Sequence, residues 1–214
     1  MKILAVDTAL GACSVALTDD GRTLAQRHAF MDRGHAEALA PMVEETMRDA
    51  KIEFAALDRL AVTTGPGTFT GQRVGLAFMR ALRIALRRPL IGITTLAAMA
   101  EAAKAETNLP RAIALHDARR DEVYVEIDSA PEVLLFEDAM RMLRSLGGDS
   151  SIALAGTAAP RACDALSRRF VLSAIRQPDA LWVAHLAAVS PATDNAPRPL
   201  YLRAPDAKLP GTQA

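Results

Sequence analysis

The segment richest in chemistry is Gly65-Pro66-Gly67-Thr68-Phe69-Thr70-Gly71. Three glycines and two threonines follow an apolar run and precede a helix-like stretch, so backbone amides there can be aimed at an anion. Gly67 and Gly71 permit a close backbone approach that a Cβ would block. No lysine follows Gly71 and the spacing is not GxGxxG, so neither common phosphate-loop pattern is matched. A tight strand-to-helix turn capped by Thr70 accounts for the same residues equally well. Asp7-Thr8 is the second candidate. It ends the first apolar run, where a carboxylate and a hydroxyl can hold a hydrated cation or orient a phosphate. Taken alone, a turn aspartate accepting backbone hydrogen bonds is the simpler reading.

Other chemistries find less support. His28, His35, His116 and His185 never pair at i, i+4, and no cysteine lies nearby, so a zinc site has no pattern behind it. No G-x-S-x-G nucleophile motif occurs. Residues 116–122 crowd six ionisable groups into one turn, which reads as a polar site or as a solvated hairpin tip. The chain carries 25 basic and 25 acidic side chains, so bulk basicity gives no argument for nucleic acid. The charges are nonetheless segregated. Residues 59–88 hold six arginines and no carboxylate, whereas residues 32–58 hold seven carboxylates against three cations. Arg80, Arg83 and Arg87 fall on one helix face, to pair with a neighbouring helix, meet another protein, or stay solvated. No aromatic is interleaved with them, which leaves direct RNA contact weakly supported.

These residues need elements to position them. At 214 residues and 50% hydrophobic content the chain can bury a core unaided. No apolar run reaches the roughly 20 residues of a membrane span. The start, MKILAVDT, reads as a strand rather than a signal peptide. Cys13 and Cys163 lie in apolar stretches and read as buried thiols, so the expected location is cytoplasmic. Strands are expected at 2–6, 13–18 and 23–29, with Asp19-Asp20-Gly21 turning the last pair. A helix at 35–50 puts Leu39, Val43, Met47 and Ala50 on one face, broadened by Met42. A strand at 60–64 enters the glycine loop, then come a helix at 72–87, a strand at 89–93 and a helix at 95–105. A polar, proline-bearing stretch at 107–111 divides the chain into residues 1–106 and 107–214. Beyond it, strands are expected at 112–115, 122–127, 133–136, 151–155 and 170–173. Helices are expected at 137–146, ended by Gly147-Gly148, at 160–167, and at 178–189 with Leu181, His185 and Ala188 on one face. A tail with Pro205 and Pro210 is expected to fray.

In order along the chain, ILAVDTA followed by VAL, RGHAEALAPMVEE, TTGPGTFTGQRVGLAFMRAL, PLIGITTLAAMA, DARRDEVYVE and PLYLR resemble the TsaB (YeaZ-like) family of bacterial tRNA threonylcarbamoyladenosine biosynthesis proteins. The likeness spans nearly the whole chain, and GPGTFTGQRVG is its most specific element. It implies an α/β, actin-like ATPase (ASKHA, ribonuclease H-like) fold of two lobes with mixed sheets, the second reduced. It also implies a non-catalytic activating scaffold for the transfer of a threonylcarbamoyl group to the anticodon-adjacent adenosine of tRNA. The partners would be a catalytic paralogue (TsaD) and a small ATPase (TsaE), with tRNA met through the complex. No catalytic residue, metal or cofactor of its own is implied. ATP or ADP would sit at the partner interface, held by Asp7, Thr8, Gly65, Gly67, Thr68, Thr70 and Gly71. The partner surface would be the two helices, through Leu39, Met42, Val43, Met47, Arg73, Arg80 and Arg83. In isolation the same helices admit a homodimer.

Two departures from active members favour a non-catalytic role. Thr95 and Met99 stand where the paralogue resembles H-x-x-x-H, and neither replaces an imidazole pair as a metal ligand. Asp7-Thr8-Ala9-Leu10 lacks the glycine of D-x-G-[TS]. The alternative, motivated by Asp7 and the glycine loop, is an autonomous ASKHA-type ATPase or peptidase.

Overall fold

A computed structural model describes residues 1–127, 130–146, 151–166, 170–193 and 195–203. Three strands open the chain as a meander: β1 (Lys2–Asp7), β2 (Ala12–Asp19) and β3 (Arg22–Phe30). Asp20 and Gly21 turn the second hairpin with φ of 46° and 80°, the left-handed conformations that a tight hairpin requires. Helix α1 (His35–Ala50), β4 (Arg59–Gly65), α2 (Phe69–Leu86), β5 (Leu90–Thr94) and α3 (Thr95–Thr107) follow. The sheet order is β3-β2-β1-β4-β5, with β1, β4 and β5 parallel. Nearly every residue of β1 and β2 is buried, because helices cover both faces. On one face, Leu39, Val43 and Met47 of α1 and Leu76 and Met79 of α2 meet Leu4, Val6, Val15, Leu17, Leu60 and Val62.

The second half repeats the plan in shorter elements. They are β6 (Arg111–Asp117), β7 (Glu122–Val125), β8 (Glu132–Leu135), α4 (Phe136–Ser145), β9 (Ile152–Ala155), α5 (Ala159–Ala165), β10 (Val171–Leu172) and α6 (Ala180–Val189). Their order, β10-β9-β6-β7-β8, is that of the first sheet with β6 standing for β1 and β9 for β4. Helix α3 joins the halves, with Leu96, Met99 and Ala103 packed on Ala114, Ala153 and Ala155.

Helix α6 departs from the division at 106/107. It returns to the first sheet, where Ala180, Val183, Ala184 and Ala187 pack on Ile3, Ala5, Ala16 and Ala61. The small residues on both sides let helix and sheet approach closely. Its buried stripe is therefore the alanine-rich one, and the expected face of Leu181, His185 and Ala188 lies only half-buried beside it. The tail also comes back: the Leu200 amide donates to Thr64 O at 2.8 Å, and Pro197 lies against Gly92. Gly147-Gly148, Pro205 and Pro210 lie outside the described residues. Among the described residues no helix is long and apolar enough to cross a membrane.

Candidate functional site

Asp7, at the end of β1, is fully buried. Its Oδ1 accepts from Thr63 Oγ1 at 2.6 Å and from the Ala9 amide at 3.2 Å, while its buried Oδ2 has no partner. Burial outweighs those two donors and pushes the carboxyl up to about 7. The Thr8 hydroxyl donates to Gly71 O at 2.7 Å and accepts from the Gly75 amide at 3.0 Å. Gly71 and Gly75 are four apart, the usual helical pair, so this hydroxyl is wedged into the hydrogen-bond ladder of α2. A Cβ on Gly75 would stand 2.7 Å from it, which explains the glycine.

The glycine loop folds onto the same turn. The Thr68 amide donates to Ala9 O at 2.8 Å, and Thr68 Oγ1 accepts from the Gly71 amide at 3.1 Å. Thr68, not Thr70, is thus the helix cap: α2 starts at Phe69, so Gly71 is the third helical residue that a capping oxygen reaches. Thr70 stands exposed in the first turn. A Cβ on Gly67 would sit 2.4 Å from Ala9 O, and one on Gly71 2.2 Å from Thr8 O. Gly65, at φ 109° and before a cis Pro66, makes the bend that brings the loop over β1. Asp7, Thr8, Gly65, Gly67, Thr68 and Gly71 are therefore brought together, and several of the groups that an anion would use are engaged with the chain itself.

Thr95 donates to Pro66 O at 2.7 Å, and Met99 is buried between the lobes. His35 Nε2 lies 3.0 Å from Leu10 O, and burial pushes His116 down to about 4. Both cysteines are free and buried. Among the described residues no three His, Cys, Asp or Glu side chains cluster as metal ligands would. The 116–122 cluster is a hairpin tip, where Asp117 Oδ1 accepts from the Arg119 amide at 2.8 Å.

Helices α1 and α2 do lie side by side, but the expected contact residues divide. Leu39, Val43 and Met47 are 1%, 1% and 3% exposed and belong to the chain's own core, so they cannot form a partner surface. Covering β1 and β2 already uses that face. Met42 is half-buried on the side of α1 that carries Glu45 and Asp49, while Val74, Phe78 and Leu82 form a half-buried apolar row along α2. The charged flanks point apart. Arg27 of β3 pairs with Glu45 and Asp49 on the far side of α1, at 2.8 and 2.6 Å. Arg73 donates to the Tyr201 hydroxyl at 2.7 Å, and Arg80 donates to Pro197 O. These two arginines hold the chain's own tail rather than facing α1, and Arg83 lines a cleft beside them. The stack of Phe69 on Tyr201, with ring centroids 5.6 Å apart, has no local sequence signal, because the two lie more than a hundred positions apart.

Residues 29–143 match the family model described as TsaD: tRNA N6-adenosine threonylcarbamoyltransferase. A protein of Escherichia coli (strain K12) named tRNA threonylcarbamoyladenosine biosynthesis protein TsaB is 39% identical over 58% of this chain and 53% of its own length. The matched region thus spans about half of that relative. YeaZ from Pseudomonas aeruginosa superposes with a TM-score of 0.78 at 30% identity, over 94% of this chain and 99% of that one. An activator of 2-hydroxyisocaproyl-CoA dehydratase from Clostridium difficile, solved with bound ADPNP, shares the fold at TM-score 0.52 and 11% identity, over 87% and 94%. Two lobes of one strand order, shared with such proteins, make the fold actin-like (ASKHA). With a nearly full-length structural counterpart and a family model covering more than half of its residues, the chain belongs to the TsaB (YeaZ-like) family.

Proposed function

We propose that this chain is the non-catalytic activating subunit of a cytoplasmic complex that transfers a threonylcarbamoyl group to the adenosine beside the anticodon of tRNA. Its catalytic partner is a TsaD-type enzyme, and a small TsaE-type ATPase joins the assembly. The observation that carries this reading is the closed strand-end site. Ala9 O, an acceptor, occupies the approach to the loop amides, and the Thr8 hydroxyl is tied into α2. An incoming phosphate would meet an oxygen where it needs a donor. On this reading the isolated chain binds no nucleotide at Asp7, Thr8 and the 65–71 loop, and any ATP or ADP site is shared with the partner.

The half-buried apolar positions Met42 of α1 and Val74, Phe78 and Leu82 of α2 belong to the partner face, because they remain partly open where Leu39, Val43 and Met47 are already covered. Binding there activates by favouring the competent arrangement of the enzyme. Without the enzyme, the same face pairs two copies. The test is co-purification with a TsaD-type enzyme, followed by a tRNA modification assay with and without this chain. Met42→Glu combined with Phe78→Glu abolishes co-elution while the melting transition persists; unchanged co-elution removes this face. Phosphate release by the purified chain, lost in Asp7→Asn, would replace this reading with that of an autonomous ATPase.

A further inference from the structure

We propose that the returning tail, residues 197–203, is a strap between the two lobes, firmly fastened on the first and releasable at the second, where it holds a strained turn. This goes beyond the function proposed above and does not depend on it. On the first lobe the fastening is redundant. The Leu200 amide donates to Thr64 O at 2.8 Å, near the end of β4, and Arg80 Nε donates to Pro197 O at 3.0 Å. Arg73 donates to the Tyr201 hydroxyl at 2.7 Å, and the same guanidinium lies 3.4 Å from the centroid of the Phe69 ring, on which Tyr201 stacks. Backbone, guanidinium and aromatic contacts act in parallel, so the loss of one leaves the others in place. Pro197 and Pro199 each fix φ at about −65°, which stiffens the segment that leads to the second lobe.

On the second lobe Arg203 makes the connection. Its guanidinium pairs with Glu122 and donates to Arg119 O at 3.2 Å. The two side chains of this pair are 26% and 31% exposed, so water competes for the bond and this is the weaker end. What it grips is the turn between β6 and β7. Arg119, Arg120 and Asp121 stand at φ of 63°, 55° and 58°, three successive left-handed residues that each carry a Cβ. Side chains disfavour that conformation, and it persists where the surroundings impose it. Arg119 O accepts from the Glu122 amide at 3.0 Å, so Arg203 bonds to the same carbonyl that closes the turn. The place of the grip gives it leverage. The chain enters β6 from α3 at Arg111, and the turn lies at the other end of that strand, ~20 Å along it. A tie there opposes rotation of the second lobe about its α3 connection. Release of Arg203 therefore relaxes the turn and frees the lobes to open in one event.

The test is amide hydrogen exchange of the full chain, read at Leu200 for the strap and at Glu122 for the turn. Arg203→Gln speeds exchange at Glu122 by about fivefold or more, the scale of a charge-assisted hydrogen bond, and leaves Leu200 unchanged. Arg80→Met combined with Tyr201→Ala strips the fastening from α2 and speeds both amides, although the two changes lie on the first-lobe side of the strap. Adding Arg203→Gln to that pair gives no further acceleration at Glu122. Acceleration confined to Leu200 in the α2-side variant overturns the strap, as do additive effects at Glu122, because Arg203 would then act on the turn alone. Equal acceleration at Ala162, inside α5, overturns it too, since the chain would be loosening as a whole. Spin labels at Thr23→Cys and Arg141→Cys, exposed positions of the two lobes, report their separation. Arg203→Gln broadens the distance distribution of the otherwise unaltered labelled chain; an unchanged distribution overturns the strap as a tie between the lobes.

Discussion

The two lobes share one strand order yet close the same junction differently. After β4 the chain turns at Gly65 with φ 109°, and after β9 it turns at Gly156 with φ 94°. In both, an amide just beyond the glycine reaches back to the end of the lobe's first strand or just past it: Thr68 to Ala9 O at 2.8 Å, and Ala158 to Leu115 O at 3.1 Å. A Cβ on Gly156 would stand 2.1 Å from Leu115 O, as tight as the contacts at Gly67 and Gly71. Glycine here therefore serves the crossing of a strand-to-helix turn over its neighbour, in a lobe with a phosphate-like motif and in one without. What is particular to the first lobe is the buried Asp7 and the Thr8 hydroxyl inside α2. The corresponding Asp117 is exposed, and Thr157 merely accepts from its amide at 2.9 Å.

The comparison can be broken in several ways, and the largest effect belongs to the glycines. Gly71→Ala and Gly156→Ala each force a methyl into a backbone carbonyl with no flexible side chain to yield, at a cost of about 3 kcal/mol in urea unfolding. A change below ~0.5 kcal/mol at Gly71 would mean that the loop is not held as described. The threonines should separate the lobes. Thr8→Val strands the Gly75 amide and Gly71 carbonyl in the interior and costs roughly 2 kcal/mol, whereas Thr157→Val, at an exposed bond, costs under ~1 kcal/mol.

Asp7 gives a pH signature of its own. Its pKa is raised in the folded chain from 3.8 to about 7, so over that interval the folded state binds more protons than the unfolded one. Stability contributed by the neutral carboxyl is complete at the acid end and is lost as pH rises toward 7. Denaturation profiles of Asp7→Asn should lack this decline; an identical decline would mean that Asp7 titrates normally. The smallest effect belongs to His28, whose ring is 3.1 Å from Asp179, the residue that caps α6. The hydrogen bond to Asp179 raises the His28 pKa, so its contribution is complete below 6.5 and is lost as pH climbs through the raised value. His28→Gln should flatten only that upper part of the profile.

Local pattern made most of the fold legible. The helix expected at 35–50 is α1 to the residue, and the alternation of strands and helices follows the expected order. Periodicity also grouped Leu39, Val43 and Met47, but it cannot tell whether the chain's own sheet or another protein covers a shared face. The packing decided for the sheet. The cap moved from Thr70 to Thr68 because α2 begins three residues earlier than its apolar pattern does. The return of α6 and the clasp of the tail by Arg73 and Arg80 join residues more than a hundred positions apart, beyond any local signal. The same holds for the stack of Phe69 on Tyr201.

The central claim is that Asp7 and the closed loop do architectural rather than chemical work. Asp7→Asn, nearly isosteric and neutral, should be added to a TsaD-type enzyme and the transfer of the threonylcarbamoyl group to tRNA measured against the wild-type chain. The account predicts a folded variant that co-elutes with the enzyme and supports transfer at the wild-type rate. A loss of roughly a hundredfold in transfer with co-elution intact, the scale expected for removal of a catalytic group, would contradict it.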